Sequence, residues 1–332
     1  MAASMVRVAL IQTAPLVGKT LKNTTRWKEI TGKLKGVDVD LLVAPELAIC
    51  GYNFSNEEEI RPFLEEPGKG LSTEIIKDCI GANGVGVIGY PELEKEGNII
   101  YNSAMAIKGG KILHNHRKVH LYETDKTWGA KEGSSWQAFN IPIKNKNLKG
   151  MIGICMDLNP WEFKAPFEKY EFANAMVNQN VELGIICTAW MNSSWSDQWS
   201  IKEQESWQSI IGESPLDLVI NDKKSFDEHE VLGMSSQWPI EEFAKHKHHV
   251  DANTLKYWIM RLKPLWERKC TMLICNRAGI ETNAMYAGSS MIIRFNGSPV
   301  EKHEHGGITI DMTIEGYLPT ACEGILVRDI PL

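Results

Sequence analysis

A chain of 332 residues, 43% hydrophobic and 23% charged, has the balance of a globular protein and is long enough to bury a core without disulfides or structural metals. Its formal net charge of −6, with no long run of either sign, argues against a nucleic-acid-binding surface. No stretch approaches the roughly 20 apolar residues of a membrane helix, and the N-terminus runs into a strand-like segment without a signal peptide's basic start or cleavage region.

Along the chain, short apolar runs flanked by turn formers read as buried strands at Val6–Gln12, Val39–Ala44 and Gly84–Gly89. Asn102–Ile107 and Lys111–Asn115, joined through Gly109-Gly110, read as a hairpin. Gly150–Cys155, Leu183–Thr188, Thr271–Asn276 and Ser289–Arg294 continue the strand series. Helical patterns fall between them at Thr20–Leu34, Ser72–Ile80, Pro166–Gln179 and Ala252–Arg268. The alternation predicts an α/β fold with helices covering the sheets.

We expect a single domain over 5–332, interrupted at about 192–250 by an insertion rich in Trp, Ser, Glu, Lys and His. It includes Trp195, Trp199, Trp207, Trp238 and the cluster His246, His248 and His249. Such a segment forms a lid or wall of a binding site, or a surface excursion anchored by buried tryptophans. The seven cysteines are an odd number without metal-ligand spacing, and most sit in apolar runs. They read as free thiols in a reducing compartment, the cytoplasm, with the nucleus also open.

Three segments carry residues suited to chemistry. In LLVAPELAICGY (41–52), Glu46 follows a strand end, where a carboxylate serves catalysis or caps a helix. In HNHRKVHLYETD (114–125), Arg117 and Lys118 form a solvated basic turn or, beside a carboxylate, supply an ammonium for an oxyanion. In GMIGICMDLNPWEF (150–163), Cys155 stands at a strand-to-turn elbow as a nucleophile or an inert core thiol.

In this order the segments resemble the Glu–Lys–Cys triad of the nitrilase superfamily, through Pro45-Glu46, Arg117-Lys118-Val119-His120-Leu121 and Gly150 to Cys155. The stretches 6–15 and 262–297 resemble the family's opening and closing strands. The resemblance implies a four-layer αββα sandwich that hydrolyses amides without metal or organic cofactor. It makes Cys155 the nucleophile, Glu46 the general base and Lys118 the oxyanion stabiliser. Many members carry a further glutamate between lysine and cysteine. Glu123 is the candidate here, with Asp125 and Glu132 as alternatives.

The runs 155–174 and LYETDKTWG resemble the branch that deamidates asparagine or glutamine at the start of a polypeptide, whose products feed the N-degron route to degradation. The implied partners are polypeptides beginning with Asn or Gln, not nucleic acid or membrane. Such a substrate needs an anion for its α-ammonium. Asp157 and Glu162 are candidates, unless Asp157 caps the turn and Glu162 faces solvent. Trp161 and Phe163 are expected to pack in the core. A small-molecule amidase or carbamoylase of the same superfamily is the alternative, and a binding protein on a dead hydrolase fold the third reading. Oligomeric state and the choice between Asn and Gln stay open, the latter hanging on one methylene.

Overall fold

Two sheets face each other in the computed structural model, which describes residues 5–81, 83–192, 217–220, 249–281, 284–302 and 308–332. The first contains β1 (Met5–Gln12), β2 (Leu41–Val43), β3 (Val85–Glu94), β4 (Ile99–Lys108), β5 (Lys111–Arg117), β9 (Asp217–Ile220) and β13 (Gly324–Pro331). Their spatial order is β5-β4-β3-β2-β1-β13-β9. The second contains β6 (Phe139–Ile143), β7 (Lys146–Ile154), β8 (Leu183–Thr188), β10 (Lys269–Asn276), β11 (Met291–Asn296) and β12 (Met312–Tyr317), in the order β12-β11-β10-β8-β7-β6. β1, β2 and β3 are mutually parallel, as are β7, β8 and β10. Hairpin-type antiparallel pairs flank them.

The period-two alternation of each strand makes the layers. Val6, Val8 and Leu10 of β1, with Leu41 and Val43 of β2, point into the space between the sheets and meet Ile152 and Ile154 of β7 and Ile185 and Cys187 of β8. Ala9, Ile11, Leu42 and Ala44 point the other way, onto α1 (Thr20–Thr31) and α3 (Leu71–Cys79), with the short α2 (Glu57–Ile60) between them in sequence. Met151 and Ile186 do the same on the second sheet, onto α5 (Glu171–Asn178) and α6 (Ala252–Arg261). The result is the expected αββα sandwich. Each fully buried Val, Leu or Ile contributes roughly 1.5–3 kcal/mol.

The helices bury one face each. α1 buries Asn23, Trp27 and Ile30, one helical stripe. The Asn23 amide donates to Leu16 O (2.7 Å) and Ile49 O (2.8 Å), tying the helix to the loop that follows β2. α6 starts at Asp251, whose carboxylate accepts from the N–H groups of Asn253 and Thr254 (both 3.1 Å), a cap worth about 1 kcal/mol.

Some boundaries differ from the sequence reading. The helix expected over Ala252–Arg268 ends at Arg261, and Pro264 sits in a 3-10 turn, Lys263–Leu265, because proline has no N–H to continue the ladder. Pro166–Gln179 is broken at Tyr170, whose φ of +42° is left-handed, so the helix spans only Glu171–Asn178. β6 is an additional strand that tolerates Pro142 because it lies at the sheet edge. The insertion expected at 192–250, with its tryptophans and histidines, lies outside the described residues apart from Asn192, β9 and 249–250. Among the described residues no helix is long and apolar enough to cross a membrane.

Candidate active site

β2 delivers Glu46 to the end of the inter-sheet space. The close approach of β3 allows this: a Cβ on Gly89 would lie 2.6 Å from Glu46 Cα, and Gly89 N donates to Pro45 O at 3.1 Å. Lys118 leaves β5 with its N–H on Asn102 O (2.8 Å) and its carbonyl accepting from Gly133 N (2.7 Å). Glu46 and Lys118 are both fully buried, and their side chains meet at 2.6 Å. The other Glu46 oxygen accepts from Ala189 N at 2.8 Å.

Two further side chains close the network. Asp125, in α4 (Glu123–Thr127), lies 2.7 Å from Lys118 Nζ. Asn102 Nδ2 donates to both Glu46 (2.6 Å) and Asp125 (2.9 Å). Two carboxylates thus share one ammonium in a site closed to solvent. Burial raises the pKa of Glu46, Lys118 opposes the rise, and Asp125 adds to it, making Glu46 a stronger base than an ordinary carboxylate. For Lys118 burial acts downward, but Asp125 and Glu46 outweigh it and hold the ammonium firmly protonated.

Cys155 follows β7 directly, at the start of the 3-10 turn Cys155–Leu158, with a left-handed φ of +39°. A non-glycine residue in that region is strained and persists where its surroundings over-determine it. Here Asp157 does so. Its carboxylate accepts from Ile154 N and pairs with His116 Nε2 (both 2.8 Å) through one oxygen, and accepts from Val119 N and His120 N (both 2.9 Å) through the other. The carboxylate therefore ties the residue before Cys155 to the two residues after Lys118. From α6, Arg261 Nε donates to Leu158 O (2.5 Å) and Tyr257 Oη to Asn159 Oδ1 (2.6 Å). Burial raises the Cys155 pKa, Glu46 adds to it and Lys118 counters, so the resting group is a thiol that needs a base.

Cys155 lines a cavity of about 530 Å³ together with Tyr52, Asn53, Tyr122, Asn159, Phe163, Trp190, Asn192, Asn253, Tyr257 and Tyr286. Among the described residues its lining holds no carboxylate and no ammonium.

The structure brings together Glu46, Lys118 and Cys155, whose charges act on one another. Glu123 is not among them: its side chain is 82% exposed and pairs with Lys126 at the surface. Two positions on, Asp125 occupies the place against Lys118, while Glu132 accepts from Trp161 Nε1 at the surface. Asp157 is fully buried with both oxygens engaged, so it presents nothing to the cavity. Glu162 pairs with Lys126 (2.9 Å) and Lys164 (2.8 Å) instead of lining the cavity. Trp161 and Phe163 are not core residues, at 44% and 60% exposure, because Glu162 and Phe163 both take left-handed φ values (+50° and +54°) that turn the chain outward. Cys187 lies fully buried inside β8, between the sheets. Asn102, which sequence reasoning missed, shares its strand face with Ala104 and Ala106; a polar residue on a core-facing period is the signal that marks it. Among the described residues no cluster of His, Cys, Asp or Glu is arranged to hold a metal ion.

A buried carboxylate–ammonium network abutting a strained cysteine elbow, on an αββα sandwich, defines a class: the chain belongs to the carbon–nitrogen hydrolase family, whose sequence profile matches residues 7–201. Within that family it is similar to the protein N-terminal amidase of Saccharomyces cerevisiae, 30% identical over 78% of this chain and 63% of that protein. The chain thus spans less than two thirds of that relative's length. It is 29% identical to the protein N-terminal amidase of Schizosaccharomyces pombe over 96% of this chain and 98% of the relative. An N-terminal amidase solved with an Asn-Glu-Ala peptide and with a Gln-Gly peptide shares the fold, with TM-scores of 0.80 and 0.81 at 22% identity, covering 98% or more of both chains.

Proposed function

We propose that this chain deamidates N-terminal Asn and Gln of polypeptides to Asp and Glu, with release of ammonia. The observation that carries the reading is the opening of the buried Glu46–Lys118–Asp125 network, at Cys155, onto a cavity of about 530 Å³ whose lining, among the described residues, holds no carboxylate and no ammonium. That volume accommodates a carboxamide side chain and an adjacent α-amino group. The curated relatives named above are called protein N-terminal amidases, which supports the same substrate class.

In this mechanism Glu46 takes the Cys155 proton and the thiolate attacks the carboxamide carbon. Lys118 and a backbone N–H of the following turn stabilise the oxyanion. Protonated Glu46 passes its proton to the leaving nitrogen, and ammonia departs as the thioester forms. Water then gives a proton to Glu46 and attacks the thioester, the carboxylic acid forms, and the proton returns to Cys155. Asp125 keeps Lys118 charged and oriented. Among the described residues the acceptors offered to the α-ammonium are neutral, from Asn159, Asn253 and Tyr257, which line the cavity. The protein works in a reducing compartment, the cytoplasm, a reading supported by seven free cysteines. Its products are new N-terminal Asp and Glu residues that the N-degron route would read.

The test uses a peptide with N-terminal Asn, its N-acetylated twin and an internal-Asn control, followed by ammonia release and a one-mass-unit shift. Release from the free N-terminal peptide alone is expected. Equal turnover of the acetylated twin, or faster release from simple amides, would move the assignment to a small-molecule amidase.

A further inference from the structure

Three buried or half-buried tyrosines of this protein spend their hydroxyls on a side-chain partner. Tyr90 donates to Asn115 (2.9 Å), Tyr257 to Asn159 (2.6 Å) and Tyr286 to Glu281 (2.7 Å). Tyr52 differs: it is 4% exposed, and its hydroxyl finds no hydrogen-bond partner among the described residues. A buried unpaired hydroxyl is costly and rare in a well-packed interior.

A loose side chain does not account for it. The N–H groups of Tyr52 (3.1 Å) and Asn53 (3.0 Å) both donate to the Glu281 carboxylate, itself held by Arg277 (2.5 Å) and Tyr286 (2.7 Å). Gly51, at φ +82°, permits this approach: a Cβ there would lie 2.7 Å from both Glu281 Oε1 and the backbone of Val17. So anchored, the Tyr52 ring lies with its centroid 5.4 Å from Lys118 Nζ and lines the cavity with Cys155.

We infer that the Tyr52 hydroxyl is a direct substrate contact, donating a hydrogen bond to the scissile carboxamide oxygen beside Lys118. The inference rests on the amidase reading above. The carboxamide oxygen supplies the acceptor that the protein withholds, and it gains negative charge as the thiolate adds to the neighbouring carbon. Burial, followed by Asp125, Glu46 and Cys155, holds the phenol well above its ordinary pKa, so the hydroxyl keeps the proton it donates.

Tyr52→Phe tests this by steady-state kinetics and thermal unfolding of the full chain, with a peptide bearing N-terminal Asn. The expected result is a fall in kcat of about 10- to 100-fold with a smaller change in KM, and a Tm unchanged or raised because no internal bond is lost. Unchanged kcat would overturn the inference. So would a rise in KM alone, which would put the hydroxyl on a part of the substrate that gains no charge, or a lowered Tm accompanying the loss. If the wild-type protein is silent on peptides but hydrolyses a small amide, the amidase reading for polypeptides fails and the same comparison is made on that amide. A wild-type protein that hydrolyses no amide overturns both.

Discussion

Replacing Asp157 with asparagine changes one oxygen for one NH₂ and separates two accounts of this residue. In the structure one oxygen serves Ile154 N and His116 Nε2, the other Val119 N and His120 N. Burial acts to raise the Asp157 pKa, but His116 and the N–H groups of His120 and Ile154 outweigh it and hold the carboxyl below the usual aspartate range. The carboxamide can keep one pair of donors but turns its own NH₂ toward the other. Two buried groups lose their acceptor, at about 1–3 kcal/mol each, so the cost is on the order of 2–6 kcal/mol against a total stability of roughly 5–15 kcal/mol. Thermal unfolding followed by circular dichroism should show a Tm lower by several degrees. Turnover should fall as well, since these bonds fix Cys155 relative to Lys118, and displacement of about 1 Å can cost a hundredfold in rate. An unchanged Tm with a raised KM would refute the clamp and return Asp157 to the ammonium-binding role that its position behind the nucleophile first suggested.

Three other outcomes follow. Cys155→Ala should abolish ammonia release with the Tm retained, whereas Cys187→Ala should retain most activity and lower stability by about 1 kcal/mol through a small core cavity, both read by activity and melting of the purified variants. Gly89→Ala should reduce kcat/KM at least tenfold, because its Cβ would meet the backbone of Glu46 (2.6 Å) and Pro45 (2.7 Å), neither of which can yield without moving the base. For pH, the folded pKa of Asp157 is depressed, so its contribution to stability is complete above the unfolded value of about 3.9 and is lost as pH falls through the folded one; acid titration should show the wild type losing stability below about pH 4, with a shallower slope in Asp157→Asn.

The legible parts of this fold are those with local causes. β1 could be read because Val6, Val8 and Leu10 alternate with Ala9 and Ile11, all apolar, as a strand covered on both faces requires. Cys155 and Glu46 could be read because each follows such a strand. Asn102 carries a weaker mark, a polar residue on a core-facing period, because its role depends on β4 lying across β3 from β2, where its amide reaches Glu46, 56 residues earlier in the chain. Glu123 and Asp125 stand two positions apart on one short helix, about 200° around its axis, so only one can face Lys118. Composition does not record that phase. Trp161 and Phe163 were misread for a similar reason: their apolar character predicts burial, but left-handed backbone at 162 and 163 overrides it.

The site spans both sheets, and this explains why its charges and its mechanics belong together. Glu46, Asn102, Lys118 and Asp125 come from the first sheet and its connections, Cys155 and Ala189 from the second. The separation of Glu46 and Cys155 is therefore the separation of the sheets, set by the apolar core between them and fastened at this end by Asp157 and by Ala189 N on Glu46. Charge creation in such a dry place would be prohibitive. The proposed proton transfer from Cys155 to Glu46 would avoid it: two carboxylates, one ammonium and a thiol become one carboxylate, one carboxylic acid, one ammonium and a thiolate, with the net charge unchanged at −1. Negative charge only moves from one neighbour of Lys118 to another. In the proposed mechanism, a base on the far sheet, held rigidly beside the same ammonium, is what would let a buried thiol of raised pKa act as a nucleophile at neutral pH.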